Sequence, residues 1–444
     1  MIDIEILRKN PEKVKDAVKN KGIKDFDFDS FLKLDKERLK VLQSLEDFRS
    51  SRNKISDKIA NSSNSEKQLL LEDASRLKTE IKRLEEEFSN YDQEFNRELL
   101  KLPNIPSENM PIGSGESDNI AIRAWTRETG EITPKDIEDE SFITKESFLY
   151  KDHLELGKIH DMIDTEKSSE VSGSRFSYLK NDAVLLQDAI SQILKQKLRM
   201  HGFFPIIPPL MVLDKALYGT SHFPEGRDQV YQIKNDNVEE GRELYLVGSS
   251  EPANFAYFSN TTLNESELPK KFYAQTTCFR SEVGSWGRDV RGIKRVHQFD
   301  KLEMNAITTN LQADEMFEEL VSINEWLLRQ LELPYRVVNK CTGDSGYNAS
   351  FFQHDLEVYR LATNEWMETM TATNTSDFQS RRLNIKYKDS SGKLNFAYTL
   401  NDTGVAFGRI ILAIMENHQD SQGNIFVPEI LRPILGKEKI ENLK

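Results

Sequence analysis

Cations, acids and an aromatic ring recur at even spacing in the segment 279–303, and side chains of these types could bind a nucleotide. We interpret the segment as strand, glycine-rich loop and strand, in which alternate side chains of each arm share one face. Arg280 and Glu282 would share a face of the first arm, and Phe299 and Glu303 a face of the second. An arginine fork suits a phosphate, and an aromatic ring can stack on a base. The segment therefore predicts a nucleotide-binding hairpin.

The same face of the second arm would carry His297 and Lys301. A simpler alternative is that these charges form the solvated face of a hairpin and that Phe299 belongs to the core. Against it stands the length of the pattern: Phe-Arg-Ser-Glu, Gly-Ser-Trp-Gly-Arg-Asp at 284–289, and Arg-Val-His-Gln-Phe-Asp-Lys-Leu-Glu at 295–303. In this order the motifs resemble the second signature motif of class II seryl-tRNA synthetases.

The chain has 444 residues, of which 38% are hydrophobic and 30% are charged. This length and hydrophobic content are enough for a large core and for two domains or more. A net charge of -13 argues against a general nucleic-acid coat protein, although positive charge can be concentrated locally. Two cysteines cannot build a disulfide framework, which favours a reducing compartment. Without an apolar run of about 20 residues or a secretory leader, we expect a cytoplasmic protein with no membrane span.

The seven histidines are scattered, and none forms a His-x-x-x-His pair or lies near a Cys-x-x-Cys motif. We therefore expect no zinc site. Magnesium, which prefers carboxylates and substrate phosphates, stays open.

Two long helices in the first quarter of the chain carry apolar residues at three- and four-residue spacing, with the polar turn Asn61–Ser65 between them. Such helices fold back as an antiparallel coiled coil, which we predict over about residues 31–101. A short helical lead-in is expected before Asp29, where Asn10 and Pro11 provide an N-cap and a first-turn proline. From patterning alone, a dimerisation coiled coil or two helices of a bundle remain alternatives.

These helices resemble the N-terminal arm of seryl-tRNA synthetases, above all in the run 45–56. The resemblance implies that basic residues near the tip contact tRNA phosphates: Arg49, Arg52, Lys54 and Lys58. RNA shape rather than base sequence would be recognised there. Prolines and glycines between 103 and 115 end the helices. We predict an N-terminal tRNA-binding domain at 1–105 and a class II catalytic domain at 106–444.

The segment 202–209, Gly-Phe-Phe-Pro-Ile-Ile-Pro-Pro, follows an amphipathic helical pattern. Paired prolines cannot occupy a central strand, which predicts an edge or interface strand, with a proline-rich loop as the alternative. The segment resembles the first class II motif, and the resemblance implies a homodimer.

The segment 246–251 resembles the serine-binding Pro-Thr-Ala-Glu segment of the family. Gly248 stands in place of the proline, and Ser249 and Ser250 stand in place of threonine and alanine, whereas Glu251 is retained. Ser249 keeps a hydroxyl where the family has one, so we expect serine binding to survive.

Two further segments resemble the ATP site of the family. Glu368–Thr371 stands where the family has Glu-Ile-Ser-Ser, and Thr369 and Met370 depart from that pattern. The run 400–409 resembles the third class II motif, with Asp402 in place of a usual glycine. From its residues alone, that run is a strand-to-helix turn with one arginine.

The fold implied by the resemblance is α+β: the class II antiparallel sheet flanked by helices, with an N-terminal antiparallel coiled-coil arm. Catalysis is assigned to Arg280 and Arg409, and Mg²⁺ to Glu368. The residues implied for serine binding are Ser249, Ser250, Glu251, Arg280, Glu303 and Thr403. Those implied for ATP are Arg280, Ser281, Glu282, Val296, Phe299, Glu368, Thr369, Met370, Thr371 and Arg409.

The function implied is that of a serine–tRNA ligase, which makes seryl-adenylate from L-serine and ATP and transfers the seryl group to tRNA(Ser). Whether tRNA(Sec) is also charged is left open. One alternative is a catalytically silent or specificity-altered paralogue acting as an RNA-binding or regulatory protein, supported by the departures at Gly248, Thr369, Met370 and Asp402. Another is an adenylate-forming enzyme that serves a carrier protein, which the intact arm disfavours.

Overall fold

The computed structural model describes residues 1–24, 26–60, 62–133, 137, 140–234, 242–283, 292–346 and 349–442. The predicted glycine-rich loop at 284–289 and Asn61 of the predicted turn lie outside these residues. Internal contacts divide the chain into two units. We call Ile23–Leu102 the arm unit, and Met1–Gly22 together with Pro103–Lys444 the sheet unit.

The first residues of the chain fold as two short helices, α1 (Ile4–Lys9) and α2 (Pro11–Asn20), and they pack within the sheet unit. The Asn10 side chain accepts a hydrogen bond from the backbone of Lys13, and proline opens α2, which confirms the predicted helix start. Buried Lys21 donates to the carbonyl of Ser350 over 2.5 Å. By contacts, residues 1–22 therefore separate from the arm, whereas the sequence division at residue 105 groups them with it.

The arm unit is a helical hairpin of α3 (Phe28–Ala60) and α4 (Asn64–Leu99). Phe31 stacks on Phe95 at 5.1 Å, and Arg49 pairs with Glu85 at 2.7 Å, so positions rise along one helix as they fall along the other. This confirms the antiparallel pairing. The apolar seam is buried in the half that holds Val41, Leu45, Ile81 and Leu84. Towards the tip Ile55 and Ile59 are only half-buried.

The remaining helices belong to the sheet unit: α5 (His153–Ile159), α6 (Thr165–Ser172), α7 (Asp182–Met200), α8 (Asp214–Gly219), α9 (Glu251–Ala256), α10 (Ala313–Gln330), α11 (Phe378–Leu383), α12 (Phe407–Asn417) and α13 (Arg432–Leu435). None of the helices in the described ranges is long and apolar enough to cross a membrane.

Its strands are β1 (Ile120–Thr126), β2 (Gly130–Ile132), β3 (Ile163–Asp164), β4 (Tyr178–Leu179), β5 (Phe204–Pro205), β6 (Met211–Leu213), β7 (Gln232–Ile233), β8 (Leu244–Leu246), β9 (Thr262–Asn264), β10 (Lys270–Phe279), β11 (Gln298–Thr308), β12 (Tyr335–Asn339), β13 (Phe352–Arg360), β14 (Glu365–Asn374), β15 (Lys386–Lys388), β16 (Leu394–Phe396), β17 (Tyr398–Ala406), β18 (Ile425–Phe426) and β19 (Lys439–Ile440). In the described residues, a sheet of nine strands has the order β2-β1-β12-β13-β14-β17-β11-β10-β5.

The sheet is antiparallel except at one edge, where β5 pairs in parallel with β10. This places the Phe204–Pro205 strand at the rim, as the paired prolines predicted. Helices α7, α10 and α12 cover one face of the sheet and form the main core with its strands. On the other face, Phe272 and Ile307 belong to a second apolar cluster, and polar side chains of the central strands line a cavity.

Two bulges change which side chains reach that polar face. On β17, the pairing steps from Val405 to Thr403 while β11 advances by one residue, so Gly404 is extra. On β14, the pairing steps from Met370 to Glu368, so Thr369 is extra. Each bulge reverses the alternation of the strand beyond it.

Candidate active site

A cavity lies on the polar face of the sheet, over β11, β14 and β17 and beside the start of α12. Phe299, Lys301 and Glu303 alternate along β11 and all line it. Asn401 and Thr403 line it from β17 in the same way. The two-residue spacing therefore predicted correctly that Phe299, Lys301 and Glu303 of β11 share the cavity floor.

The first arm of the predicted hairpin differs from the prediction. Strand β10 ends at Phe279, so Arg280 and Glu282 lie beyond it. Glu282 has a positive φ of 51°, and a strand alternation does not apply to it. Both side chains still line the cavity, because the chain turns there rather than continuing straight.

His297 is the other difference, since it lies before β11 and is not part of the cavity lining in the described structure. Its Nδ1 is 3.0 Å from the carbonyl oxygen of Arg280 and 2.9 Å from the hydroxyl of Tyr231. The ring therefore holds together the segments around Arg280 instead of forming the floor.

Most of the residues predicted to bind substrates line the cavity together. For serine these are Ser249, Glu251, Arg280, Glu303 and Thr403. For ATP they are Arg280, Glu282, Val296, Phe299, Glu368, Thr369, Thr371 and Arg409.

Three predicted side chains point elsewhere. Ser250 is fully buried beside Asn254. Ser281 donates to the carbonyl of Asp228 over 2.6 Å. Met370 lies in the apolar core behind the sheet, because it follows the extra residue of the β14 bulge. The side-chain roles assigned to these residues are therefore not supported by their positions.

Arg280 is held over the aromatic floor. Its guanidinium carbon lies 5.4 Å from the centre of the Phe299 ring, and its Nε donates to the carbonyl of Gly248 over 3.1 Å. A β-carbon at Gly248 would lie 3.4 Å from Cγ of Arg280 and 3.3 Å from the carbonyl oxygen of Phe279. A side chain at position 248 would therefore be close mainly to the carbonyl oxygen of Phe279, and its contact with Arg280 would be an ordinary one.

Arg409 and Glu368 form the opposite wall. Nη1 of Arg409 donates to the carboxylate of Glu368 over 3.1 Å and to its carbonyl over 2.8 Å. Desolvation alone would raise the pKa of Glu368, but Arg409 and Lys340 outweigh it and hold that pKa below its ordinary value. Glu368 is therefore ionised at neutral pH.

Glu368 and Thr371 reach one cavity although strict alternation would put residues three apart on opposite faces. The extra residue Thr369 makes this possible. The hydroxyl of Thr371 donates to Asp355 over 2.7 Å, and Lys340 lies 2.7 Å from the other oxygen of Asp355. In the described residues no cluster of three or more His, Cys, Asp or Glu side chains could hold a metal ion by itself.

The far end of the cavity carries two buried acids. Oε1 of Glu251 accepts from Gln379 over 2.7 Å and from Asn401 over 3.1 Å. Glu303 forms a contact ion pair with Lys301 on the same strand. Burial raises the pKa of both carboxyls, against the pull of Lys301. This end offers fixed acceptors for a small, charged, hydrogen-bonding ligand.

Lys301, Asn401 and His222 also line the cavity, although the sequence analysis assigned them no substrate role. The period of two already placed Lys301 on the face of Glu303, and the same period places Asn401 beside Thr403. His222 lies in the irregular segment after α8, where no period applies. Only the fold brings it to the cavity.

Asp402 replaces a family glycine within the third-motif run. It faces the side of the sheet opposite the cavity and accepts from Asn324 of α10 over 2.6 Å. It is fully buried, and burial raises its pKa well above the ordinary value. Burial therefore favours the uncharged form of this carboxyl, which faces away from the cavity.

Two family models match the chain. The seryl-tRNA synthetase N-terminal domain matches residues 1–106, and the tRNA synthetase class II core domain (G, H, P, S and T) matches residues 231–418. The serine–tRNA ligase of Petrotoga mobilis is 36% identical and that of Clostridium tetani is also 36% identical. Each comparison covers 99% of this chain and 100% of the relative.

Solved structures agree over the whole chain. The seryl-tRNA synthetase of Pyrococcus horikoshii, complexed with ATP, superimposes with a TM-score of 0.89 at 32% identity and covers 100% of both chains. The cytoplasmic serine–tRNA ligase of Naegleria fowleri, in complex with AMP, gives 0.82 at 28% identity, covering 100% of this chain and 99% of that one. The α+β fold with its helical arm is confirmed by these matches. Because full-length relatives exceed 30% identity and resemble it from the arm to the third motif, the chain belongs to the seryl-tRNA synthetase family of class II aminoacyl-tRNA ligases.

Proposed function

We propose that this chain activates L-serine with ATP and transfers the seryl group to tRNA(Ser). One observation carries the proposal. A single cavity joins an arginine–aromatic wall suited to a nucleotide with an acid-lined end suited to a small amino acid. Relatives named serine–tRNA ligase and an ATP-bound seryl-tRNA synthetase of the same fold support it.

In the first step the serine carboxylate attacks the α-phosphate of ATP and pyrophosphate leaves. No protein nucleophile is needed, because the reaction depends on in-line positioning and on neutralising charge. Arg280 binds the α-phosphate, for which its anchored Nε leaves the terminal nitrogens of the fork available in the cavity. Phe299 and Arg409 enclose the adenine, and Glu282 accepts from its amino group.

The acid-lined end binds serine. Glu251 and Ser249 surround the α-ammonium of serine, and Glu303 and Thr403 lie beside its side-chain hydroxyl. These acceptors are already ordered by Gln379, Asn401 and Lys301, so binding costs little rearrangement. Alanine would leave the buried hydroxyl-binding groups without a partner, which disfavours it by orders of magnitude.

Magnesium fits the opposite wall. The donor set is a carboxylate and a hydroxyl, which are hard oxygen ligands, and Mg²⁺ takes its other ligands from water and substrate phosphates. Glu368 would hold the ion, with Thr371 beside it, because Thr371 gives its proton to Asp355 and so presents oxygen lone pairs. When bound, the ion would neutralise charge on the phosphates. Arg409, which lies beside Glu368 on the same wall, would also neutralise negative charge on the phosphates.

The arm would bind tRNA through Arg49, Arg52, Lys54 and Lys58, all of which are exposed. Exposed basic side chains suit phosphate contacts, which position RNA without reading its bases. We further propose a homodimer formed at the β5 rim, where Ile207 is 95% exposed, and a cytoplasmic location. Light scattering of the purified protein would test the dimer, since a monomer at micromolar concentration would contradict it.

Exchange of pyrophosphate into ATP tests the function directly, with serine, threonine, alanine and cysteine compared at fixed Mg²⁺. Serine alone should support strong exchange. Exchange with threonine as well would mean that the pocket excludes the extra methyl poorly. No exchange with any of the four, from folded protein that still binds tRNA, would support the silent-paralogue alternative instead.

A further inference from the structure

We propose that His222 is a further substrate-binding residue, whose Nε2 accepts a hydrogen bond from the α-ammonium group of the amino acid. The inference deepens the proposed function and rests on it. It begins from the position of His222 in the cavity wall, between α8 and the segment that leads to β7.

The tautomer of His222 follows from its neighbours. Nδ1 lies 3.0 Å from Oγ1 of Thr220. That hydroxyl has a single proton, which it donates to the carbonyl of Ala216 over 3.1 Å. Its oxygen therefore accepts from Nδ1–H, and in a neutral ring this leaves Nε2 as an acceptor.

The ring is neutral at working pH. Desolvation in the cavity, followed by the positive charges of Arg280 and Lys301, lowers the pKa of His222 to about 4, although Glu303 opposes this. Among the described residues nothing donates to Nε2. Because Nδ1 is bonded to Thr220 and the residue lines the cavity, we infer that the ring edge with Nε2 faces the cavity. A fixed lone pair is thus available to a ligand.

The hydrogen-bond network around Thr220 indicates which group of the ligand donates to Nε2 of His222. Nε2 of Gln379 donates both to the carbonyl of Thr220, over 3.2 Å, and to Glu251, over 2.7 Å. His222 and Glu251 are therefore held by one frame at the same end of the cavity. An ammonium has three protons to place, and Oε1 of Glu251 is already shared by two amides. Ser249, the second oxygen of Glu251 and His222 together would supply three acceptors.

Two polar substitutions separate this role from a structural one. His222→Asn keeps a group near Nδ1 that can bond Thr220 but removes the acceptor in the cavity. His222→Gln places an amide oxygen near the position of Nε2. Thermal unfolding of both variants verifies folding. If His222→Asn does not fold, His222→Leu, which also removes the acceptor, takes its place in every comparison.

The probes are three non-hydrolysable sulfamoyl analogues of an aminoacyl-adenylate: the seryl compound, its des-amino form and its alanyl form, which lacks the hydroxyl. Affinities are measured by calorimetry for the wild type and for both variants. Because a hydrogen bond to a charged group is at stake, His222→Asn should weaken the seryl analogue about 10- to 100-fold. The affinity of His222→Gln for the seryl analogue should stay within about threefold of the wild type. The affinities of the wild type and both variants for the des-amino compound should agree within about twofold.

Three results would overturn the assignment. His222→Asn could bind the seryl analogue as tightly as the wild type does, or it could lose as much affinity for the des-amino compound as for the seryl analogue. In the third case, His222→Asn would bind the seryl analogue more weakly than the wild type but the alanyl analogue equally well. The last would place His222 on the hydroxyl instead. Failure of the proposed function looks different, since the wild type would then neither bind the seryl analogue nor support exchange.

Discussion

The cavity and the tip of the arm present their basic side chains in opposite ways. Arg280 and Arg409 are anchored to backbone carbonyls and face a shared cavity. Arg49 and Lys58 are exposed on a helix, and within the described residues the ion pair of Arg49 is with the equally exposed Glu85. Surface ion pairs of this kind contribute little to stability.

This difference separates two modes of recognition. A small substrate is recognised by side chains that are held in position, whereas a long polyanion can be bound by charged groups at the ends of flexible side chains. The arm hairpin is correspondingly less buried towards its tip, where Leu69 is 67% exposed. The cavity floor, by contrast, belongs to a sheet whose other face is the main core.

Removal of the anchored arginine should give the largest effect. Arg280→Ala is expected to lower serine-dependent pyrophosphate exchange by at least about a hundredfold, because the attacked phosphate loses its preorganised partner. The measurement is exchange at saturating ATP and serine. Arg83→Ala, on the exposed face of the arm, is the matched control and should exchange normally. Near-normal exchange by the Arg280 variant would contradict its role.

Neutralising the tip should act on tRNA alone. Replacing Arg49, Arg52, Lys54 and Lys58 by alanine is expected to lower kcat/KM for tRNA charging about tenfold or more, with a weaker salt dependence, and to leave exchange unchanged. The control neutralises Lys33, Lys36, Lys40 and Arg97, which are exposed at the other end of the hairpin, an equal change in charge. If the tip variant and the control variant lose the same fraction of kcat/KM for tRNA charging, the loss reflects overall charge, and the four tip residues do not form a specific tRNA-binding surface.

Glu368→Gln tests the wall shared by Arg409 and the proposed magnesium site. The substitution keeps the shape but removes the ionised oxygen, so the Mg²⁺ concentration needed for half-maximal exchange should rise about tenfold. Asp355→Asn is a useful comparison, because its carboxyl has a raised pKa from burial and from Glu368 and is already bonded to Thr371. An unchanged Mg²⁺ requirement in Glu368→Gln would remove Glu368 from the site.

The smallest effect is expected behind the sheet. Because the pKa of buried Asp402 is raised, its stabilising effect is complete below the unfolded pKa of about 4 and is lost as pH rises towards the folded value. Asp402→Asn avoids that loss, so it should raise stability at pH 7 by about 1 kcal/mol and do less at pH 4. Thermal unfolding at both pH values is the measurement.

Exchange activity should be unchanged by Asp402→Asn, since the side chain faces away from the cavity towards Asn324. A large loss of exchange with intact folding would mean that position 402 communicates with the substrate through the strand. Lower stability of the Asn variant at neutral pH would contradict the raised pKa of the Asp402 carboxyl.

Local patterns in the sequence determined much of this protein. Heptad spacing predicted the helical hairpin, paired prolines predicted the edge strand, and the period of two placed Phe299 and Glu303 on one face. Such features depend on neighbours in the sequence, so they can be recognised before the fold is known. Resemblance over long motifs then supplied the family, which periodicity alone did not.

Only the tertiary structure decided which side chains meet. Bulges at Thr369 and Gly404 reverse the alternation, so Glu368 reaches the cavity while Met370 turns into the core. His222 arrives from an irregular segment with no period at all. Strand pairing and loop closure join residues far apart in the chain, and the physical forces that select them act across the folded sheet rather than along the sequence.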